Sequence, residues 1–452
     1  MQIKQFEDKN LSHYSYAIMS DCEKKIILID PERNPKQYLD YAIENDATIV
    51  GIIETHPHAD FVSSHLELHQ KTGATIYCSK LVGALYPHQG FDEGEYIQLG
   101  KIKLAALNTL GHSPDSICIV LEHNAKQKAV FTGDTLFIGD CGRPDLRPGA
   151  GDAKEAALIL ARQMYHSLRD KLIQLPAETI VYPAHGAGTL CGKALSKANS
   201  STIEAETKSN WSLQSQTEDT FVKELLLDQP FVPAYFPYDV DLNKQGASPF
   251  EVAIKSVQIG KEIRNENEAH QLNKDIWVVD SRNAPDYKAG HLPHAVNIMK
   301  GLKFETWLGS IIKPEEKIYF AAENAESLQE MIVRAAAIGY EPQILEGFVV
   351  KHGAIIEEII DIKDFTNQRE KYTIIDVRNN AEVKENKIFT NSLSFPLGEL
   401  RDNIGKIPTD KPIVVHCASG YRSAAGSSLI HSAFNGKVKV FDLGDAVKNF
   451  IK

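Results

Sequence analysis

Apolar residues fall in short runs through the first half of the chain. KIILID (25–30), TIVGIIE (48–54), ATIYCS (74–79), IKLAAL (102–107), SICIVLE (116–122), KAVFTGD (128–134) and TIVYPAH (179–185) are each six or seven residues long and bounded by polar or turn-forming residues. Runs of that length predict strands. One stretch, AKEAALILARQMYHSLRDKL (153–172), carries the spacing of a helix. FPYDVDLNKQGASP (236–249) is rich in Pro, Asp, Asn and Gly and reads as a linker.

Beyond that stretch the pattern repeats itself. DIWVVDSRNAPDY (275–287) is echoed by YTIIDVRNNAEV (372–383), with Asp280 and Arg282 matching Asp376 and Arg378 at an offset of 96. EKIYFAAENAESL (316–328) matches KPIVVHCASGYRS (411–423), and QILEGFVV (343–350) parallels KVFDLGDAV (439–447). Each unit alternates strand, loop and helix, which predicts two tandem α/β domains with parallel sheets.

At 452 residues the chain is too long for one core. The expected division is 1–245, 246–358 and 359–452. A hydrophobic content of 43%, a charged content of 24% and a net charge of −11 describe a soluble protein with no extended basic surface. Nucleic-acid and membrane partners are therefore not expected. The first twenty residues lack the basic head and apolar centre of a signal peptide. Six cysteines, none in a CxxC pair, fit a reducing cytoplasm.

Metal-ligand residues cluster just after the predicted strands. His56, His58 and Asp60 lie in THPHADF, His112 in TLGHSPDS, Asp134 in FTGDTLF and His185 in YPAHGAG. Four strand-end turns of this kind can deliver ligands to one point. Three histidines with Asp134 would suit zinc hydrolysis. Two histidines with one carboxylate would suit Fe(II) and leave positions for oxygen and substrate.

These motifs resemble the metallo-β-lactamase superfamily, which implies an αββα sandwich with the metal at one edge of its sheets. The family's HxHxDH motif reads here His56-Pro57-His58-Ala59-Asp60-Phe61, and the departure at Phe61 removes a donor expected for a second ion. ETHPHADFVSSH, LGHSPDS, FTGDTLFIGDCGRPDL and YPAHG are more closely similar to the persulfide dioxygenase branch. That resemblance implies His56, His112 and Asp134 as ligands of one Fe(II) per chain. His58, Asp60 and His185 would orient ligands, water or oxygen. Arg143, in GDCGRPDL, is a candidate for holding a substrate carboxylate. Cys191, in HGAGTLCGKAL, is a candidate sulfur relay, and Cys141 is placed beside the same site.

HCASGYRS (416–423) is a second centre. An apolar strand runs into Cys417, a short loop follows, and Arg422 opens a helix. Backbone amides, the helix N-terminus and the arginine would all favour a thiolate or persulfide. Four residues separate Cys417 from Arg422, a loop tighter than that of tyrosine phosphatases, which have five, and better suited to one sulfur than to a phosphate. The loop resembles the rhodanese family, which implies Cys417 and Arg422 as catalytic and Ser419, Gly420 and Tyr421 as substrate-binding. The first repeat also resembles a rhodanese but has Ala321-Ala322-Glu323-Asn324 at the loop position, which predicts a copy inactive in sulfur transfer.

The whole chain resembles bacterial persulfide dioxygenase–rhodanese fusions. That implies an α/β multidomain enzyme: an αββα sandwich followed by two rhodanese-like domains with parallel sheets. A low-molecular-weight thiol persulfide, O2 and sulfite would be its partners, and a homo-oligomer its state. Persulfide would be oxidised to sulfite and free thiol, and Cys417 would transfer sulfane sulfur to sulfite, giving thiosulfate. Glutathione, coenzyme A, bacillithiol, cysteine and inorganic polysulfide all stay open as the carrier. The alternatives are a zinc-dependent thioester hydrolase fused to a rhodanese, and a non-catalytic sulfur carrier or sensor.

Overall fold

The computed structural model describes residues 1–145, 153–193, 195–269 and 272–451, and it divides into two compact units. The first comprises Met1–Val252 with Ala337–Gly339. The second comprises Ala253–Ala336 with Tyr340–Lys452.

Two six-stranded sheets form the first unit. Gln2–Asp8, His13–Ser20, Lys25–Ile29, Thr48–Ile53, Thr75–Cys78 and Gln89–Gly90 lie side by side in chain order. The other sheet runs Ser201–Thr202, Ile180–Pro183, Lys126–Gly133, Ile117–His123, Ile102–Asn108, Tyr96–Leu99. Strand alternation explains the layers. Ile27, Ile29 and Ile53 pack against Leu104, Ile119 and Phe131 between the sheets. Ile26, Leu28 and Ile52 face outward onto Tyr38, Ala42 and Leu68 from the helices Lys36–Glu44 and His65–Thr72. Val120, Val130 and Val181 meet Ala161 and Met164 of the helix Ala153–His166, and Phe221 and Leu225 of Glu218–Leu226. The result is the expected αββα sandwich, with strands that read as apolar runs because both faces are covered.

The predicted helix is present, though after His166 it widens into a π turn over Ser167–Lys171. The linker expectation for 236–249 is corrected: Phe236–Gln245 is a helix with Pro237 in its first turn. Pro is well tolerated there, because a first-turn N–H has no partner inside the helix. Phe236, Asp239, Val240 and Asn243 are buried, so tertiary contacts outweigh a turn-like composition.

The second unit holds two parallel sheets. Gln258–Ile259, Ile344–Val349, Ile318–Ala322, Trp277–Asp280 and Ala295–Asn297 form one, and Leu393–Ser394, Thr373–Asp376, Ile413–His416 and Val440–Asp442 the other. The repeat is visible in matching contacts. Arg282 grips Asp280 at 2.6 and 2.9 Å and reaches the Gly290 carbonyl at 2.9 Å. Arg378 grips Asp376 at 2.7 and 2.9 Å and reaches the Asn386 carbonyl at 2.9 Å. No helix among the described residues is long and apolar enough to cross a membrane.

Candidate metal centre and cysteine loop

The first centre lies where strands of both sheets end. His56 follows Thr48–Ile53, Asp134 follows Lys126–Gly133 and His185 follows Ile180–Pro183, while His112 lies in the loop after Ile102–Asn108. One ligand atom each from His56, His112 and Asp134 lies within 4.8 Å of the others, and all three residues are buried. Asp134 Oδ2 is 3.6 Å from His112 Nε2 and 4.0 Å from His56 Nε2. Both carboxylate oxygens of Asp134 are buried without a hydrogen-bond partner, a costly arrangement for a carboxylate unless a cation compensates. The donor set of two imidazoles and one carboxylate fits a divalent transition metal.

The far sides of the rings are held. His112 Nδ1 donates to the Arg143 carbonyl oxygen at 2.9 Å, and His56 Nδ1 is 3.0 Å from Thr55 Oγ1. Such contacts fix ring orientation and leave Nε2 for a metal. Gly142 permits the close turn, because a Cβ there would lie 1.9 Å from the Asp134 carbonyl oxygen and 3.1 Å from His112 Nδ1.

A second set borders the first. His185 Nε2 is 3.4 Å from Asp60 Oδ2 and 3.6 Å from Asp134 Oδ1. His58 joins this set through ligand-type atoms, yet its Nε2 lies 3.2 Å from Asp30 Oδ1. Burial opposes a charged imidazole at His58, but Asp30, helped by Glu54, carries its pKa up to about 9. Phe61 fills the motif's last position with a buried ring, its centroid 4.3 Å from that of His58 and 4.0 Å from that of His13.

Asp30 and Asn243 escaped the sequence reading. Asp30 accepts from Thr55 N at 2.7 Å and Thr55 Oγ1 at 2.8 Å. Its position at the end of KIILID, a strand end like the others, was the available signal. Asn243 lies in the segment whose composition predicts a linker, and nothing nearby in sequence marks it.

Arg143 requires a correction. Its guanidinium is 1% exposed and spent on Asp145, with two contacts of 2.6 Å, and on the carbonyls of Pro230 at 2.6 Å and Leu190 at 3.2 Å. It pins the loop whose carbonyl orients His112, and is not presented to a substrate. Cys141 is also corrected: its side chain packs with Val120, Val130 and Met164 in the outer core, where burial pushes the thiol pKa well up. Cys191 does reach the centre, with Sγ within 4.8 Å of ligand atoms of Asp134 and His185. Burial, then the Asp60 and Asp134 charges, holds its thiol well above the usual range.

In the second unit Cys417 follows Ile413–His416 and is 1% exposed. Gly420 N donates to its Sγ at 3.1 Å. Gly420 has φ +96°, and a Cβ there would meet the Asp445 backbone nitrogen at 3.1 Å, so glycine suits this turn. Arg422 pairs with Glu382 through two contacts, at 2.5 and 2.8 Å, and its charge also acts on Cys417. Tyr421 spends its hydroxyl on the Met299 carbonyl at 2.6 Å. Ser419, Gly420 and Tyr421 border a cavity of about 770 Å³, with Met299, Ile359 and Leu443 on its walls. In the first repeat Asp280 pairs with Ala321, as Asp376 pairs with His416, so Ala322 stands where Cys417 stands.

A metallo-beta-lactamase superfamily model matches residues 12–185, and a rhodanese-like domain model matches 261–351 and 361–448. The chain joins a metallo-beta-lactamase domain to rhodanese-like domains. The metallo-beta-lactamase part is 31% identical over 183 residues to the mitochondrial persulfide dioxygenase ETHE1 of Mus musculus, covering 40% of this chain and 66% of that protein. A probable hydroxyacylglutathione hydrolase of Schizosaccharomyces pombe is 32% identical over 178 residues, covering 38% of this chain and 63% of that protein. The matches thus span just under two thirds of these relatives. A solved structure, a metallo-beta-lactamase from Staphylococcus aureus subsp. aureus COL, aligns with TM-score 0.67 and 28% identity, covering 77% of this chain and 98% of that one.

Proposed function

We propose that residues 1–245 form an iron(II)-dependent persulfide dioxygenase, that 246–358 form a sulfur-inactive rhodanese-like domain, and that 359–452 form a sulfurtransferase acting through Cys417. The observation that carries the first part is the buried carboxylate of Asp134, with both oxygens unpartnered beside His56 and His112. Similarity to persulfide dioxygenase ETHE1 supports the choice of reaction. Ferrous iron held by these three residues would supply the oxygen chemistry.

The chain's own groups then have defined tasks. The Arg143 carbonyl and the Thr55 hydroxyl keep the His112 and His56 rings in register. Asp60 and His185, 3.4 Å apart, stand ready to take the proton that a persulfide sheds. Cys191 is the candidate to hold or relay sulfane sulfur beside them. In balance, one persulfide RSSH, one O2 and one water give RSH, sulfite and two protons.

At the cysteine loop the Cys417 thiolate attacks the terminal sulfur of a second persulfide, and the S–S bond breaks to release RS⁻. Sulfite then attacks the new Cys417 persulfide at its outer sulfur, thiosulfate leaves and the thiolate is restored. Ser419 and Gly420 line the approach. Cys417→Ser tests this part: oxygen uptake should persist while sulfite accumulates in place of thiosulfate, and unchanged thiosulfate yield would reject the assignment.

A second reading is zinc-dependent thioester hydrolysis, favoured by the similarity to hydroxyacylglutathione hydrolases and by Asp60 and His185 beside Asp134 Oδ1. The Phe61 ring, where a further nitrogen donor would stand, weighs against it.

A further inference from the structure

A third convergence of ligand-type side chains lies in the second unit, apart from both centres described above. One ligand atom each from His291, Glu357 and His431 falls within 4.8 Å of the other two. The three come from separate parts of the unit. His291 lies just before the strand Ala295–Asn297 of the first repeat, Glu357 in the segment connecting the repeats, and His431 on the helix Tyr421–Phe434 that follows the cysteine loop.

Two of the three ligand atoms are buried and unsatisfied. His291 is 2% exposed and Glu357 7%, and neither His291 Nε2 nor Glu357 Oε1 has a hydrogen-bond partner. His291 Nδ1 lies 2.8 Å from the Leu292 carbonyl oxygen. A carbonyl can only accept, so the proton sits on Nδ1 and the lone pair of the neutral ring points out through Nε2. The spacing also favours an ion over a hydrogen bond. His291 Nε2 and Glu357 Oε1 are 3.6 Å apart, too long for a good hydrogen bond. Two ligands of a tetrahedral zinc, at their usual bond lengths, sit about 3.4 Å apart.

The frame around these atoms is rigid. His291 and Ile355 exchange backbone hydrogen bonds of 2.9 and 3.1 Å, and Glu357 N donates to the Lys288 carbonyl at 3.0 Å. The His291 ring stacks on Tyr287 with centroids 4.2 Å apart and planes 2° from parallel. Lys288, the nearby cation, pairs with Asp442 at 2.8 Å, and its charge only partly offsets the burial of the Glu357 carboxyl.

We propose that His291, Glu357 and His431 form a metal site of their own, suited to zinc, that ties the two rhodanese-like repeats and their connecting segment together. Two imidazoles and a carboxylate match borderline transition metals, and oxygen-seeking calcium or magnesium would find too few oxygens. Three protein ligands leave one position for water. Because His431 shares a helix with the end of the cysteine loop, the ion steadies that helix without touching Cys417.

The test uses the full chain with its N-terminal centre loaded with iron, titrated with zinc chloride against a chromophoric chelator and counted by mass spectrometry. About one zinc beyond the iron is expected. His431→Gln and Glu357→Gln should each weaken that zinc at least tenfold, leave the iron content unchanged and abolish the rise in melting temperature that zinc gives the wild type. X-ray absorption of the wild-type zinc supplies a check that needs no variant: nitrogen and oxygen ligands with imidazole scattering. No zinc beyond the first centre, sulfur ligation, or folded variants that keep wild-type affinity would each overturn the site.

Discussion

His58 turns its Nε2 toward Asp30, at 3.2 Å from Oδ1, while the neighbouring histidine of the same motif, His56, faces Asp134. Two histidines only two residues apart therefore belong to different sets. The account predicts unequal outcomes for removing two of the motif-bearing rings. His112→Ala should take iron from about one per chain to near zero. His58→Gln should keep one iron at saturation, with affinity weaker by about 10–100-fold, as for other residues that support a ligand set. Elemental analysis under matched loading decides it, and equal losses would contradict the division.

Asn243 is a second support of the same loop. Its amide donates to the carbonyls of His58 and Phe61, both at 2.8 Å, and its Oδ1 accepts from Ser63 N at 2.8 Å. Asn243→Leu would orphan three buried backbone groups, each costing about 1–3 kcal/mol. Urea denaturation should show the first unit destabilised by roughly 3 kcal/mol or more, with weakened iron binding alongside. Unchanged stability would mean that the helix does not brace the loop.

Arg143→Lys separates a clamp from a substrate contact. Lysine keeps the charge but loses the planar fork that meets Asp145 twice and the Pro230 carbonyl once. A loss of about 1–3 kcal/mol is expected from the hydrogen-bond partners left unmet, with KM for a persulfide little altered in whatever remains folded. A raised KM at full stability would restore the role read from the sequence.

Strands buried on both faces leave apolar runs, and His56, Asp134 and His185 follow those runs directly. The repeat was legible through Asp280-Arg282 and Asp376-Arg378, because a two-residue spacing lets each arginine fold back on its own aspartate. Asp145 stands two residues from Arg143 in the same motif, but the partners that fix the guanidinium from the other side are remote: the carbonyls of Leu190 and Pro230 lie 47 and 87 residues away. The pairing of Arg422 with Glu382 was hidden because the two lie 40 residues apart. Asn243 was hidden in a helix whose Pro and Asp content mimics a turn.

His65 gives a prediction in pH. Burial, then the charges of His58 and Arg33, depresses it from 6.5 to about 3. The unfolded chain therefore takes up its proton first, and stability present above pH 6.5 drains away as pH falls toward 3. Relative to His65→Leu, the wild type should lose about 2–3 kcal/mol between pH 7.5 and 4.5. Chemical denaturation at the two pH values measures the difference, and a constant offset between the proteins would contradict it.

The central claim is oxygen chemistry on a thiol persulfide at His56, His112 and Asp134. An oxygen electrode tests it directly, with iron-loaded protein given glutathione persulfide or coenzyme A persulfide. The account predicts rapid uptake of one O2 per persulfide oxidised, absent from zinc-loaded protein and from His112→Ala. Protein that holds zinc stoichiometrically, consumes no oxygen when iron-loaded and cleaves a thioester instead would contradict it.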